Sequence, residues 1–442
     1  MAAEWVSIKT ADDVNGLKDL NKQDENGKNA FMYICRRLNL ECVEAALKKG
    51  ANVTLQTSGG KNALYYAVKA GDAAVVSALL AAGSDPNSAN KTGYAVLWLA
   101  ARNGTAGVVD ALLNAGADGN LMEERSGTTP LIIACSEGHA DSAMALVTHA
   151  STDLEESDPV GCSPLWVAAS DGLTDVVAAL LERGVDANKP NNHQRTPLIA
   201  AALMGQLAVV EKLIASGGEV AHADENGETA VYVAASNGHH EVIDLLVKAG
   251  GVDINGVNAD GETPLITASW SGHQECVKFL MDNGANVNKA NAGGRTALIA
   301  ACWRGFPETA SSLIEGGAEI HAVDEHGRSA LWAAARGGIA ACVDLMMKKG
   351  GDCDQKDDRK GWAEAGAGVA SCTPLFAAAW QGHADAVKAC LENGADPDLG
   401  DIEGRLPGEV TENEEIKRLV AEYVELKRKG AAPPPPPGKG KS

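Results

Sequence analysis

The sequence of 442 residues is 45% hydrophobic but only 4% aromatic, so its apolar content is mostly Ala, Val and Leu, suited to small helices in close contact. A formal charge of −21 argues against a sequence-independent grip on nucleic acid or docking on an anionic membrane, since both need clustered Lys and Arg, and it suits solubility or a basic partner. The opening stretch lacks the apolar core of a secretory signal and no apolar run reaches about 18 residues, so neither secretion nor a membrane span is expected.

The first predicted element is a capping helix within residues 1–21, where TADDVNGLKDL puts Val14, Leu17 and Leu20 on an inward side. A repeat then runs from 22 to 398. Gly recurs at 50, 83 and 116, at 184, 217, 250, 284, 317 and 350, and at 394, with Ala150 in the gap. A second marker, the small residue or Pro that opens a helix, keeps the same beat of 33 or 34 from Ala30 through Pro130, Pro197 and Pro264 to Ala330, and then steps by 44 to Pro374 as the Gly marker does. Two markers in phase over about eleven units define a repeat architecture.

One unit, NADGETPLITASWSGHQECVKFLMDNGANVN, shows the reading. A polar turn at Asp260-Gly261 precedes the N-cap Thr263, and Pro264 takes the first helical position, where its missing N–H costs nothing. A short small-residue helix stops at Gly272. A second helix follows with Cys276, Val277, Leu280 and Met281 on one stripe, and Gly284 closes it in the left-handed region.

The segments GTTPLIIACSEGH, GETPLITASWSGH and CTPLFAAAWQGH resemble the ankyrin repeat, over roughly residues 22–410. The resemblance implies an α-solenoid: a single elongated, curved array of helix-turn-helix pairs with β-hairpin fingers projecting to one side. No unit has His after TPL. That slot holds Trp98, Ile132, Trp166, Ile199, Tyr232, Ile266, Ile299, Trp332 and Phe376. Apolar packing is therefore expected to replace the family's hydrogen bonding by that His, with Trp98, Trp166 and Trp332 in the core.

The period breaks once, with a step of 44 between Gly350 and Gly394. The extra residues enlarge the finger near 355–372, where Trp362 is a candidate anchor in a Gly/Ala-rich loop; a neutral, tolerated insertion is the alternative. Residues 399–430 read as a partial repeat and C-terminal cap, with Pro407 still in phase. The tail, 431–442, is expected to be disordered. Its five successive prolines favour polyproline II, a ligand for an SH3, WW or profilin-type reader, or serve only as a solubilising end.

Nothing in the sequence carries a catalytic constellation. The terminal Gly-Lys-Ser lacks the upstream Gly of a phosphate-binding loop, because Pro435 stands there, and HHEVIDLL from His239 lacks zinc-protease spacing. His139, His239, His273 and His383 each follow the Gly between the paired helices and so belong to the repeat. The ten Cys residues form no CxxC pair, and many replace Ala, Val or Ile of other units, as small buried hydrophobes in a reducing, cytoplasmic setting do. No enzyme activity, cofactor or metal is expected.

The resemblance places partner contacts on the finger tips and at the two residues before the central Gly, lining a concave face. Early repeats present Arg36, Arg37, Lys69 and Arg102 there, which points to an acidic segment. Later repeats present Trp270, Trp303, Arg304, Arg336, Trp380 and Gln381, of the residue types enriched at interface hot spots. The expected function is a protein-interaction scaffold or adaptor centred on the later repeats. Alternatives are a structural component on a cytoskeletal filament such as axonemal microtubules, or the substrate-receptor arm of a ligase or kinase complex. No nucleic acid and no membrane insertion is expected.

Overall fold

The computed structural model describes residue 5 and residues 8–37, 39–357 and 371–430. Trp362 and the proline-rich tail lie outside the described residues. The chain divides into two compact units, Met1–Glu219 and Val220–Ser442. The first opens with a short helix, Ala11–Gly16, followed by six helix pairs from Ala30–Arg37 and Leu40–Lys48 to Pro197–Leu203 and Leu207–Ala215. The second contains five pairs and ends in the 15-residue helix Glu414–Arg428. Its pairs are Ala230–Asn237 with His240–Ala249, Pro264–Ser271 with Gln274–Asp282, Ala297–Arg304 with Pro307–Glu315, Ala330–Arg336 with Ala340–Lys348, and Pro374–Gln381 with Ala384–Glu392.

The local chemistry of one pair explains the rest. Thr263 Oγ accepts from the Ile266 amide at 3.2 Å, and Pro264 fills the first helical position. Such a cap is worth about 1 kcal/mol. The helix buries Leu265, Ile266 and Ala268, then ends at Gly272, whose φ of +77° only Gly adopts without strain. The partner helix Gln274–Asp282 buries Cys276, Val277 and Leu280, while Met281 stays half-buried. First helices of successive repeats pack on one another within each unit, as do second helices. No single pair could bury both faces alone. The slot after TPL is buried in most repeats, at Ile132, Ile199, Ile266, Ile299, Trp98, Trp332 and Phe376. Trp166 departs from the core role expected of it. It is half-buried, and its Nε1 donates to the Arg195 carbonyl at 3.0 Å.

Among the described residues the fingers contain only three isolated antiparallel bridges, Ala89 with Ala95, Ala223 with Thr229 and Val323 with Ser329, where β-hairpins were expected. Side chains take over the closure. Asp224 Oδ1 accepts from the amides of Asn226 and Glu228 at 2.9 Å each, and Asp224 itself bonds Glu228 through the backbone at 3.0 Å. Asn258, Asn291, Asp324 and Asp401 act alike. A carboxylate or amide that gathers two amides leaves little backbone for a longer ladder.

A second set of polar side chains ties consecutive repeats together. Asn188 donates to the Gly217 carbonyl at 3.1 Å and accepts from the Glu219 amide at 2.8 Å; Asn288 does the same with Gly317 and Glu319 at 3.1 and 2.8 Å. Each satisfies a carbonyl orphaned at a helix end.

Candidate partner-binding surface

The residues before the central Gly sit on the last turn of each first helix. In the first unit Arg36, Arg37 and Lys69 are exposed, and Arg37 lies 5.8 Å from the centre of the Tyr33 ring. Arg102 is not a free cation. It pairs with Glu137 at 3.5 Å and lies 5.5 Å from the Trp98 ring centre. Trp98 is buried, tilted against Tyr94 at 4.9 Å, and its Nε1 donates to Thr128 Oγ at 3.1 Å.

In the second unit the Trp residues are built into a ladder of guanidinium groups. Trp270 is half-buried at the end of Pro264–Ser271. Two arginines of the next repeat cover it, Arg295 at 4.8 Å from the ring centre and Arg304 at 5.1 Å. Arg295 is held in turn by Glu262, 3.9 Å away. One repeat further on, Arg328 and Arg336 lie 5.0 and 5.7 Å from the Trp303 ring centre. Both also face Trp332, at 5.9 and 5.8 Å. Arg328 is locked by Asp324 at 2.6 Å. Such contacts are worth about 0.5–1 kcal/mol when exposed and more when desolvated.

The two Trp slots, distinct in sequence, therefore meet in space. Trp332 belongs to a buried cluster with Cys372, Phe376 and Ala377, and the half-buried Trp303 and Trp380 pack against it. Trp270 stands apart from that cluster. Arg304 is exposed and makes no ion pair among the described residues, and Gln381 is exposed. The structure thus brings together Trp270 with Arg304 and Trp303 with Arg336. It gives Trp380 a packing role beside them.

A family model of ankyrin repeats (three copies) matches residues 5–90, 71–158, 145–224, 203–291 and 298–401. The chain belongs to the ankyrin-repeat family. Ankyrin repeats generally mediate protein–protein interaction, so the surfaces left over by packing are where function is sought. A comparison with curated proteins finds no match. The ankyrin histidines serve the repeat itself: His139 and His273 bond through Nε2 to the carbonyls of Arg102 and Ser236, each at 3.1 Å. Among the described residues no cluster of His, Cys, Asp or Glu has the make-up of a metal site, and no helix is long and apolar enough to cross a membrane.

The sequence reading missed Arg295 and Arg328. Both stand immediately before an N-cap, Thr296 and Ser329, and each follows its Trp by 25 residues (295 − 270 and 328 − 303). That constant offset was the available signal.

Proposed function

We propose that this ankyrin-repeat protein is a non-enzymatic adaptor that holds a partner protein on the first-helix face of its second unit. The observation that carries the reading is the pairing of half-buried Trp270 with Arg304, whose exposed guanidinium has no ion pair among the described residues. The contact between Arg304 and the Trp270 ring supports the reading, because side chains already paired have less freedom to lose on binding. Trp and Arg with that preorganisation are hot-spot material. Ten free thiols, nine of them buried, support a reducing cytoplasmic setting.

The test uses Trp270→Ala and Arg304→Glu in the full chain, with proximity labelling in cells and a thermal melt alongside. A specific set of neighbours should vanish from the double variant while the melting temperature holds. An unchanged neighbour set sinks the reading. Cosedimentation with microtubules that survives both substitutions would favour the filament-bound role instead.

A further inference from the structure

Cys302 is the sixth residue of the first helix Ala297–Arg304, and Cys342 is the third residue of the second helix Ala340–Lys348 one repeat later. Both side chains are 0% exposed. The Cys302 thiol donates a hydrogen bond to the Cys342 sulfur across the junction between these repeats. That bond holds the Cys342 thiol below its ordinary value of 9.0 against the opposing effect of burial, and it pushes the donor, Cys302, well up. In the same two slots the other junctions of this unit carry Ala235 with Cys276, Ser269 with Thr309 and Ala335 with Ala386. A buried thiol packs as a small hydrophobe beside any of these, so packing alone asks for no second thiol.

The junction that carries the pair also lacks a polar tie. Asn255 donates to the Gly284 carbonyl at 3.3 Å and accepts from the Asn286 amide at 2.7 Å, and Asn288 joins Gly317 and Glu319 in the same way. The corresponding residue for Gly350 and Asp352 is His321, which is exposed and makes no such bond among the described residues. At the following junction Asp354 again accepts, from the Asp396 amide at 3.0 Å. Repeat arrays open between neighbours, and most readily where the interface holds least. Parting of the second helices Pro307–Glu315 and Ala340–Lys348 therefore costs least at this junction of the unit, and it admits a small solute to Cys342.

We propose that Cys302 and Cys342 are an oxidative modification site, joined into a reversible disulfide by hydrogen peroxide that enters at this junction. The Cys342 thiolate attacks one peroxide oxygen, the O–O bond breaks, and the departing oxygen leaves as water after taking a proton. Cys342 is then a sulfenic acid. The Cys302 sulfur displaces its hydroxyl, which leaves as a second water with the Cys302 proton, and the S–S bond forms. Two thiols lose two electrons and one peroxide gains them. A dithiol reductant reverses the step by exchange and becomes the disulfide itself. The link closes a loop of about 40 residues and fastens a first helix to the next repeat's second helix, so the oxidised junction is the more stable one. The site lies inside the packed helices and stands whether or not the Trp270 surface binds a partner.

The test exposes the full chain to hydrogen peroxide, then unfolds it in an alkylating reagent and maps the cysteines by mass spectrometry. A Cys302–Cys342 linked peptide should form within single chains and disappear with dithiothreitol, while Cys135 and Cys276 stay alkylated. Hydrogen exchange in Ala297–Arg304 and Ala340–Lys348 should slow about tenfold on oxidation. Cys302→Ala and Cys342→Ala place in these slots the residue that Ala335 and Ala386 already supply, so both variants should fold, and each should lose the link and the added protection. In Cys302→Ala the stranded Cys342 sulfenic acid should be trapped by dimedone, which a purely structural thiol would not show. His321→Asn, by supplying the missing tie, should slow link formation about tenfold. The proposal is overturned if no link forms, if Cys353 and Cys390 are linked in preference, if exchange is the same in both redox states, or if His321→Asn forms the link as fast as the parent.

Discussion

The indoles of Trp303 and Trp332 come from consecutive repeats and lie with ring centroids 6.1 Å apart and planes inclined at 41°. Offset pairs of this kind contribute about 0.5–1.5 kcal/mol beyond the area they bury. The two rings are unequal, since Trp332 is 1% exposed and Trp303 half-buried. Trp332→Ala should cost about 3–5 kcal/mol, as large core truncations do, and Trp303→Ala distinctly less. The double variant should be less destabilised than the sum, by about the pair energy. Hydrogen exchange in Ala297–Arg304 and Ala330–Arg336 as a function of urea measures all three. Strict additivity would show that the rings share a neighbourhood without interacting. It follows that replacing Trp270, Trp303 and Trp380 together would mix a surface with a core, and only Trp270 isolates the surface.

The glycine beat contains two different constraints. Gly272 has a φ of +77°, and a Cβ there would lie 2.4 Å from the Phe306 ring of the next repeat. Gly284 has a φ of +88° with open space around the same position. Gly284→Ala should cost only the left-handed backbone strain, about 1 kcal/mol. Gly272→Ala adds a steric clash in a packed stack and should cost at least about twice as much. Thermal melts of the two variants beside the parent decide this, and equal losses would mean that Phe306 moves aside freely.

The repeat itself was legible because it rests on backbone rules that act at single positions. Pro264 and Thr263 start a helix, and Gly272 and Gly284 end helices, whatever surrounds them. The contacts between repeats were harder to read, since they depend on how far one repeat is displaced from the next. Asn188 reaches residues 217 and 219, and Trp270 reaches Arg295 and Arg304. No hydrophobic period encodes those distances. Side-chain closure of the fingers by Asp224 and Asn258 was equally hidden, because an Asp or Asn in a turn is compatible with either a hairpin or an Asx turn.

Ten free cysteines give a direct measure of how closed the array is. All are buried except Cys353, which is half-buried. Burial, with Asp354 and Asp352 beside it, pushes the Cys353 thiol up to about 11, and burial pushes Cys135 and Cys276 up to about 12. Since the thiolate is the reactive form, the native chain at neutral pH should react with an aromatic disulfide reagent only slowly, Cys353 leading. Complete unfolding should release all ten thiols. Rapid native labelling of Cys135 or Cys276 would mean that their helices open locally without global unfolding.

The helix Ala11–Gly16 rests on a capping box: Asp13 accepts from the amides of Lys9 and Thr10 at 2.9 Å each, and the Asp13 amide donates to Thr10 Oγ at 3.2 Å. Those backbone amides, Lys9 first and then Thr10, hold the Asp13 carboxyl below its ordinary value of 3.8. A carboxylate with a depressed folded value stabilises the folded state at pH above its unfolded value, and that contribution disappears as pH falls through the folded value. Amides of Ala11–Gly16 should therefore lose exchange protection in acid through Asp13. Asp13→Asn should lower protection near neutral pH and converge with the parent in acid, once the pH has fallen through the depressed folded value. Lys49 Nζ donates to the carbonyls of Asn15 and Leu17 at the other end of the helix, and those bonds do not involve the carboxyl. Equal protection of parent and Asp13→Asn at neutral pH would place the helix's stability in the Lys49 contacts and in the buried Val14 instead of the box.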